Sequence, residues 1–196
     1  MDTSDKQRKK SQPPQKPRLI NTKWVATIMP VSFVLSIVMS YMSNEALGNS
    51  GTLLSFVVLF FFIALGILFD MIGIAATSGT EKEFHSMAAH RVRGAKEAVW
   101  MTRNAEKVSS ICNDVVGDIC GIISGATGAL IVANITRNMS GPMIVVVSLL
   151  VTGVVSALTI GGKAAGKGVA IAFSSKVLAV CGRILSVLPF SFDNKK

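Results

Sequence analysis

The sequence predicts an all-α integral membrane protein with four transmembrane helices and cytoplasmic surface helices. Three observations predict it. Half of the 196 residues are apolar and only 16% are charged, giving a mean hydropathy of +0.53, too apolar for an ordinary soluble domain of this size. The apolar residues fall in long blocks, not in an alternating or helical pattern, so the bilayer is their natural solvent. Lysine and arginine gather beside these blocks, in the N-terminal tail, one internal loop and the C-terminal region.

Residues 1–21 read as a disordered, basic cytoplasmic tail. Lys6, Arg8, Lys9, Lys10, Lys16 and Arg18 are interspersed with Gln, Ser and Pro, and such a segment buries too little apolar surface to offset its ordering entropy. The apolar run that follows is too long for a secretory leader and ends in no small-residue cleavage site. Residues 22–42 hold the first membrane helix, Trp24 to Met42. It is uncharged and long enough to cross roughly 30 Å of hydrocarbon. Trp24 and Tyr41 stand where interfacial aromatics belong, and Pro30 is tolerated near the start. The second span begins at Thr52 and continues past Asp70 to Thr77. Residues 79–107 are amphiphilic, with helical character from Ala88, Ala95, Ala98, Val99 and Trp100, and read as one or two short helices on the membrane face. The third span is placed at Val108–Ala133 and the fourth at Met143–Gly162. Beyond it, Val169, Phe173, Val177, Val180, Ile184 and Leu188 recur every three or four residues, the stripe of an amphipathic helix with Lys176 and Arg183 turned away.

The charge distribution orients the chain. The tail to Lys23 has seven Lys and Arg, the 79–107 loop six and the segment after Gly162 six, whereas the 43–51 turn has none and the 134–142 turn one. Four crossings of the cell membrane with both termini in the cytoplasm satisfy the positive-inside rule at every loop. The net charge of +9 is therefore read as a topology signal with attraction to anionic lipid. It does not indicate nucleic acid, because no aromatics interleave with the basic residues as a base-stacking surface needs.

The third span holds the polar residues that a bilayer penalises most. Asn113, Asp114, Gly117, Asp118, Gly121, Ser124, Gly125 and Gly128 share one face of an ideal helix. A charged side chain at mid-depth costs on the order of 2.5–3.5 kcal/mol, so Asp114 and Asp118 need a cation, water or donors. Two readings are open: an ion-binding face, or shallow carboxylates at the cytoplasmic interface near Lys107. Asp70, about two turns before the cytoplasmic end of the second span, is placed to converge with them. Together with Asn113 these acids make a divalent-cation or proton site, since oxygen ligands suit hard cations. Gly117, Gly121 and Gly125, spaced four apart, permit close helix approach, either within the chain or across a homodimer.

Other motifs are decoys. "GGKAAGKG" at 161–168 nearly matches a phosphate-binding loop, but Gly168 stands where Ser or Thr would hold magnesium. Asn134 and Asn138 begin glycosylation sequons, which mean nothing if the protein is bacterial. His85 and His90 have no cysteine partners. Cys112, Cys120 and Cys181 lie in apolar or small-residue surroundings without metal or disulfide spacing. No nucleophile–base pair or cofactor motif points to an enzyme.

The stretch from Asp70 to Arg183 resembles the transmembrane domain of the CNNM/CorC (CorB-like) magnesium-transporter family, which has three spans with a cytoplasmic surface-helix region between the first two. "RGAKEAVWMTRNAEKVSS" is similar to the surface helix leading into that domain's second span. "GKAAGK", Gly162 to Lys167, falls where the family carries Gly-Glu-x-x-Pro-Lys. The resemblance implies that residues 52–190 form a CNNM-like domain with juxtamembrane helices, preceded by an extra span. Since the chain ends at Lys196, the family's tandem CBS domains are expected to be absent. It also implies a degenerate motif: Lys163 stands in place of the glutamate that helps to bind Mg2+, and Gly166 in place of the proline, between Gly162 and Lys167. The expected function is that of a divalent-cation (magnesium) transporter-like protein, a homodimer in the lipid bilayer, with Asp70, Asn113, Asp114 and Asp118 at the cation site. The alternative is a non-transporting scaffold or regulatory subunit that keeps the fold.

Overall fold

A computed structural model describes residues 22–47, 51–90 and 92–187. The predicted tail, residues 1–21, lies outside the described residues, as does Leu188. The chain divides into two compact units, Met1–Leu35 and Ser36–Lys196, and the boundary falls within the first helix.

That helix, α1, is Thr22–Leu47 and holds Pro30 in its interior. Its hydroxyls turn back on their own backbone: Thr27 Oγ1 donates to the Lys23 carbonyl at 2.9 Å and Ser32 Oγ to that of Ile28 at 2.8 Å. Such bonds satisfy a polar side chain where lipid offers none.

The second unit is built on α2, Thr52–Ser78. Around it lie α3 (Glu81–Ala89), α4 (Ala95–Arg103) and α5 (Ala105–Ser109), a π-helical segment (Ser110–Gly117), then α6 (Asp118–Ile135), α7 (Gly141–Ala172) and α8 (Ser174–Leu185). α5, the π segment and α6 run on as one span. Four helical stretches are long and apolar enough to cross a membrane: Thr22–Glu45, Thr52–Ser78, Ala105–Ile135 and Gly141–Ala172. Large apolar side chains stand exposed along them, among them Leu53, Phe60, Phe61, Ile122, Leu149 and Ile160, a surface that only lipid covers at low cost. The protein is an all-α, multi-pass membrane protein.

α2 touches the third span, α7 and α8, and two apolar clusters form against it. Leu59, Ile63, Ile131 and Val155 join α2, α6 and α7. Nearer the end of α2, Ala75 and Ala76 pack with Phe84, Ala98, Met101, Val108, Cys112 and Leu178, which seats the short helices on the spans. The 79–107 region is two helices because Gly94 turns the chain between them at φ +85, a conformation that costs a Cβ-bearing residue about 1–2 kcal/mol. At the start of α3 the Thr80 hydroxyl donates to Glu83 Oε1 at 3.3 Å. Glu83 in turn takes a hydrogen bond from Ser175 of α8. Arg103 Nε donates to Glu81 Oε1 at 2.5 Å, tying the end of α4 to the start of α3.

Two sequence expectations are corrected here. The fourth span does not end at Gly162: α7 is 32 residues long, about 48 Å at 1.5 Å per residue, and outruns the hydrocarbon. Residues 161–168 are therefore helix and offer no loop to cradle a phosphate. The amphipathic stripe after the span is also out of phase. Val169 lies in α7, Phe173 is the junction, and Val180 and Ile184 of α8 are exposed. The packed face of α8 is Val177, Leu178, Cys181, Gly182 and Leu185. Periodicity alone cannot tell a protein-facing stripe from a lipid-facing one, because both are apolar.

Candidate functional site: the π turn of the third span

A π-helical segment widens the helix by one residue and shifts its hydrogen-bond register, and such turns recur at functional sites. Here it covers Ser110–Gly117 and so contains Asn113, Asp114 and Gly117. Asn113 is held from two sides. Its Nδ2 donates to Ser109 Oγ at 3.3 Å. Its carboxamide lies directly against Gly73 of α2, so close that a Cβ there would overlap it. Asn113 Oδ1 is buried and has no hydrogen-bond partner. An unsatisfied buried carbonyl costs about 1–3 kcal/mol, a debt that a cation, water or donor group relieves.

Three other side chains or backbones define the surroundings. Gly66 approaches the third span, where a Cβ would sit 3.2 Å from Cys120 Cβ. Gly66, Asp70 and Gly73 recur at i, i+4 and i+7 and share one stripe of α2. Asp70, half-buried, is therefore on the stripe that meets the π turn at both ends. From α7, the Lys163 ammonium reaches Gly117: its Nζ is 3.5 Å from where a Cβ would stand, and the Cys112 carbonyl is 3.4 Å from the same point. Among the described residues, no carboxylate lies within ion-pair distance of Lys163.

The sequence-selected residues thus divide. Asp70, Asn113, Gly117 and Lys163 belong to the junction of α2, the third span and α7. Asp114 and Asp118 are exposed, and among the described residues no three His, Cys, Asp or Glu gather closely enough to hold a metal ion. The convergence of Asp70 with Asp114 and Asp118 does not form. Asn113 faces Gly73 of α2, whereas its neighbour Asp114, and Asp118, are turned out to the exposed side of the span.

The glycines also divide. Cβ atoms added to Gly121 or Gly125 would meet nothing within 4 Å, so this ladder makes no close contact within the chain. It borders instead an open groove of ≈ 200 Å³ between α6 and α7, walled by Ser124, Thr152, Ser156 and Thr159. The close helix contact lies in the degenerate motif. Gly162 abuts Ile67, a Cβ at Gly166 would stand 3.0 Å from Met71 Cγ, and Ala170 one turn on is fully buried. Sequence reasoning missed this small-residue ladder, although its spacing of four was as visible as that of Gly117, Gly121 and Gly125. Lys167, in the same motif, is exposed. Gly73 was also missed; no spacing rule singles out a glycine that seats one asparagine.

The chain matches no protein-family model, no curated protein and no solved structure. Its function is argued from this junction.

Proposed function

We propose that this protein is a divalent-cation transporter-like membrane protein whose cation site is centred on Asn113, with Asp70 as the acidic partner and Mg2+ as the cargo. The observation that carries the reading is the buried, unbonded Oδ1 of Asn113 in a π turn inside a membrane span. A hard cation takes oxygen ligands; the amide oxygen, the Asp70 carboxylate and backbone carbonyls freed by the π register are of that kind. The resemblance of Asp70–Arg183 to the CNNM/CorC domain supports the same choice. The positive-inside pattern supports an orientation with the tail, the α3–α4 region and the C-terminal segment in the cytoplasm. The open Gly121–Gly125 face is the surface we assign to a homodimer, since small residues let a second helix approach.

Lys163 favours a second reading, a scaffold or regulatory subunit that has lost the ion. Its ammonium stands beside the π turn, where the resemblance puts a metal-binding glutamate. There it supplies a resident positive charge that weakens binding of a divalent ion.

Lys163→Glu separates the two. Under the transporter reading the variant is less stable than wild type without metal, because a carboxylate replaces an ammonium beside the carbonyl-rich π turn. It then gains thermal stability with magnesium, and Asn113→Leu in the same background removes that gain. Thermal unfolding of the purified proteins with and without Mg2+ reads all three. A Lys163→Glu protein as stable as wild type and indifferent to magnesium overturns the cation site and leaves the scaffold.

A further inference from the structure

A cavity of ≈ 1140 Å³ lies away from the π turn, between the α3–α4 turn and the end of α8. Arg93, Lys96 and Arg183 line it, with Glu97 as the acidic residue of the lining. These cations are brought together by backbone packing. Gly94 and Gly182 meet so closely that a Cβ on either would overlap the other strand of backbone. Gly94 also takes the positive φ of +85. The contact sets Arg183 of α8 beside Arg93 and Lys96 at the start of α4. Among the described residues none of the three has an ion pair, so three like charges share one rim with a single carboxylate near them.

The same cavity has an apolar side. Val92 and Val187 line it, and Val187 is 83% exposed. Val187 continues a stripe with Val180 and Ile184, which are 54% and 61% exposed. Val180 and Ile184 stand at i and i+4 on the side of α8 away from its packed face, and Val187 follows in the turn just past the helix end. A cation-lined cavity opening onto an exposed apolar stripe fits an amphiphilic anion. A free phosphate would use the cations and leave the stripe bare. The cavity is also far larger than one phosphate and slightly exceeds the roughly 300–1,000 Å³ of typical small-molecule sites.

We propose that this cleft binds the headgroup of an anionic phospholipid, with its phosphate among Arg93, Lys96 and Arg183 and its acyl chains along Val180, Ile184 and Val187. α4 and α8 are thereby clamped together by a lipid at the membrane surface. The proposal is independent of the cation site at Asn113.

The test is lipid retention by the full-length protein. Wild type is purified in neutral detergent with equal phosphatidylglycerol and phosphatidylcholine, and bound lipid is read by native mass spectrometry. Each basic residue near an anionic surface strengthens binding by about fivefold, so wild type should retain phosphatidylglycerol preferentially. Lys96→Gln with Arg183→Gln should bring retention close to parity, whereas Arg183→Lys should keep most of the preference. Lys82→Gln with Lys176→Gln removes the same charge outside the cleft and should change nothing. If the double cleft variant does not fold, Lys96→Gln alone, on an exposed side chain, should still lower the preference several-fold. An equal loss in the Lys82/Lys176 control would reduce the effect to general surface charge and overturn the site. So would wild type with no lipid preference, or displacement of the lipid by millimolar glycerol phosphate, which would mark a soluble anion as the occupant.

Discussion

At the residue scale, local polar groups divide into those bonded between the surface helices and those left without a partner. Glu81 is of the first kind. The Arg103 guanidinium bonded to it, and after that the His85 ring, hold its carboxyl below the usual carboxylate range. A carboxyl with a lowered folded-state pKa stabilises the fold above its unfolded pKa and loses that contribution as pH falls through the folded value. Glu81→Gln should therefore unfold at a slightly lower temperature than wild type at pH 7. The gap should close as the pH drops below about 4. The effect is small because the pair is exposed; thermal melts of both proteins across pH 3–7 measure it. A gap that persists at pH 3 would mean that the glutamine, not the lost charge, disturbs α3. Asn113 is of the second kind. Its amide nitrogen is bonded and its oxygen is not, and Gly73 makes room for it. Burial likewise pushes the Cys181 thiol above its ordinary value, so that cysteine packs as a small apolar group.

At the element scale, the arrangement of α2, the third span and α7 depends on where glycine removes a side chain. Gly66 and Gly73 on α2 admit the third span, while Gly162 and Gly166 on α7 admit α2 at Ile67 and Met71. Gly166→Leu should cost about 1–3 kcal/mol, the usual penalty for forcing extra methylenes into a packed site, and lower the unfolding temperature in detergent. Gly121→Leu should leave that temperature unchanged, since its Cβ enters open space. It should instead shift the protein toward monomer in size-exclusion chromatography if the α6–α7 groove is a dimer surface. Equal destabilisation by both would mean that the two ladders are packed alike. The π segment is the other feature of this scale. It runs on from α5 into the regular helix of α6, and the side chain of Asn104, before α5, bonds back to the Trp100 carbonyl at 3.0 Å and closes α4.

At the scale of the whole molecule, the bilayer imposes the helices, and the proposed orientation rests on the positive-inside pattern of the loops. Reporter fusions after residues 21, 95 and 196 should give a cytoplasmic signal, and fusions at 47 and 139 an external one. An internal signal at 139 would remove the third or fourth crossing. The 32-residue α7 adds a further expectation. Its last turns, with Lys167, emerge from the hydrocarbon on the same side as α3 and α4, because α8 follows at once and packs on α4. A cysteine at Lys167 should accordingly be labelled by a charged thiol reagent from the cytoplasmic side only.

Much of this protein was legible in the sequence by itself. Four apolar blocks, their lengths and the clustering of Lys and Arg decided the class and the number of spans, because a backbone in lipid has few alternatives to the helix. Asp70 and Asn113 were conspicuous in the sequence as polar groups inside apolar blocks. What the sequence did not decide is which faces meet. Lipid and protein interior are equally apolar, so hydrophobic periodicity carries no phase in a membrane helix. The stripe of α8 was therefore read on its exposed side, and the wrong glycine ladder was taken as the packed one. The π turn is invisible to any fixed period. Only the tertiary structure, where Gly73 seats Asn113 and α7 carries Lys163 to Gly117, decides which polar residues share a site. Those contacts depend on close approach of backbones, a property of pairs of helices and not of either one alone.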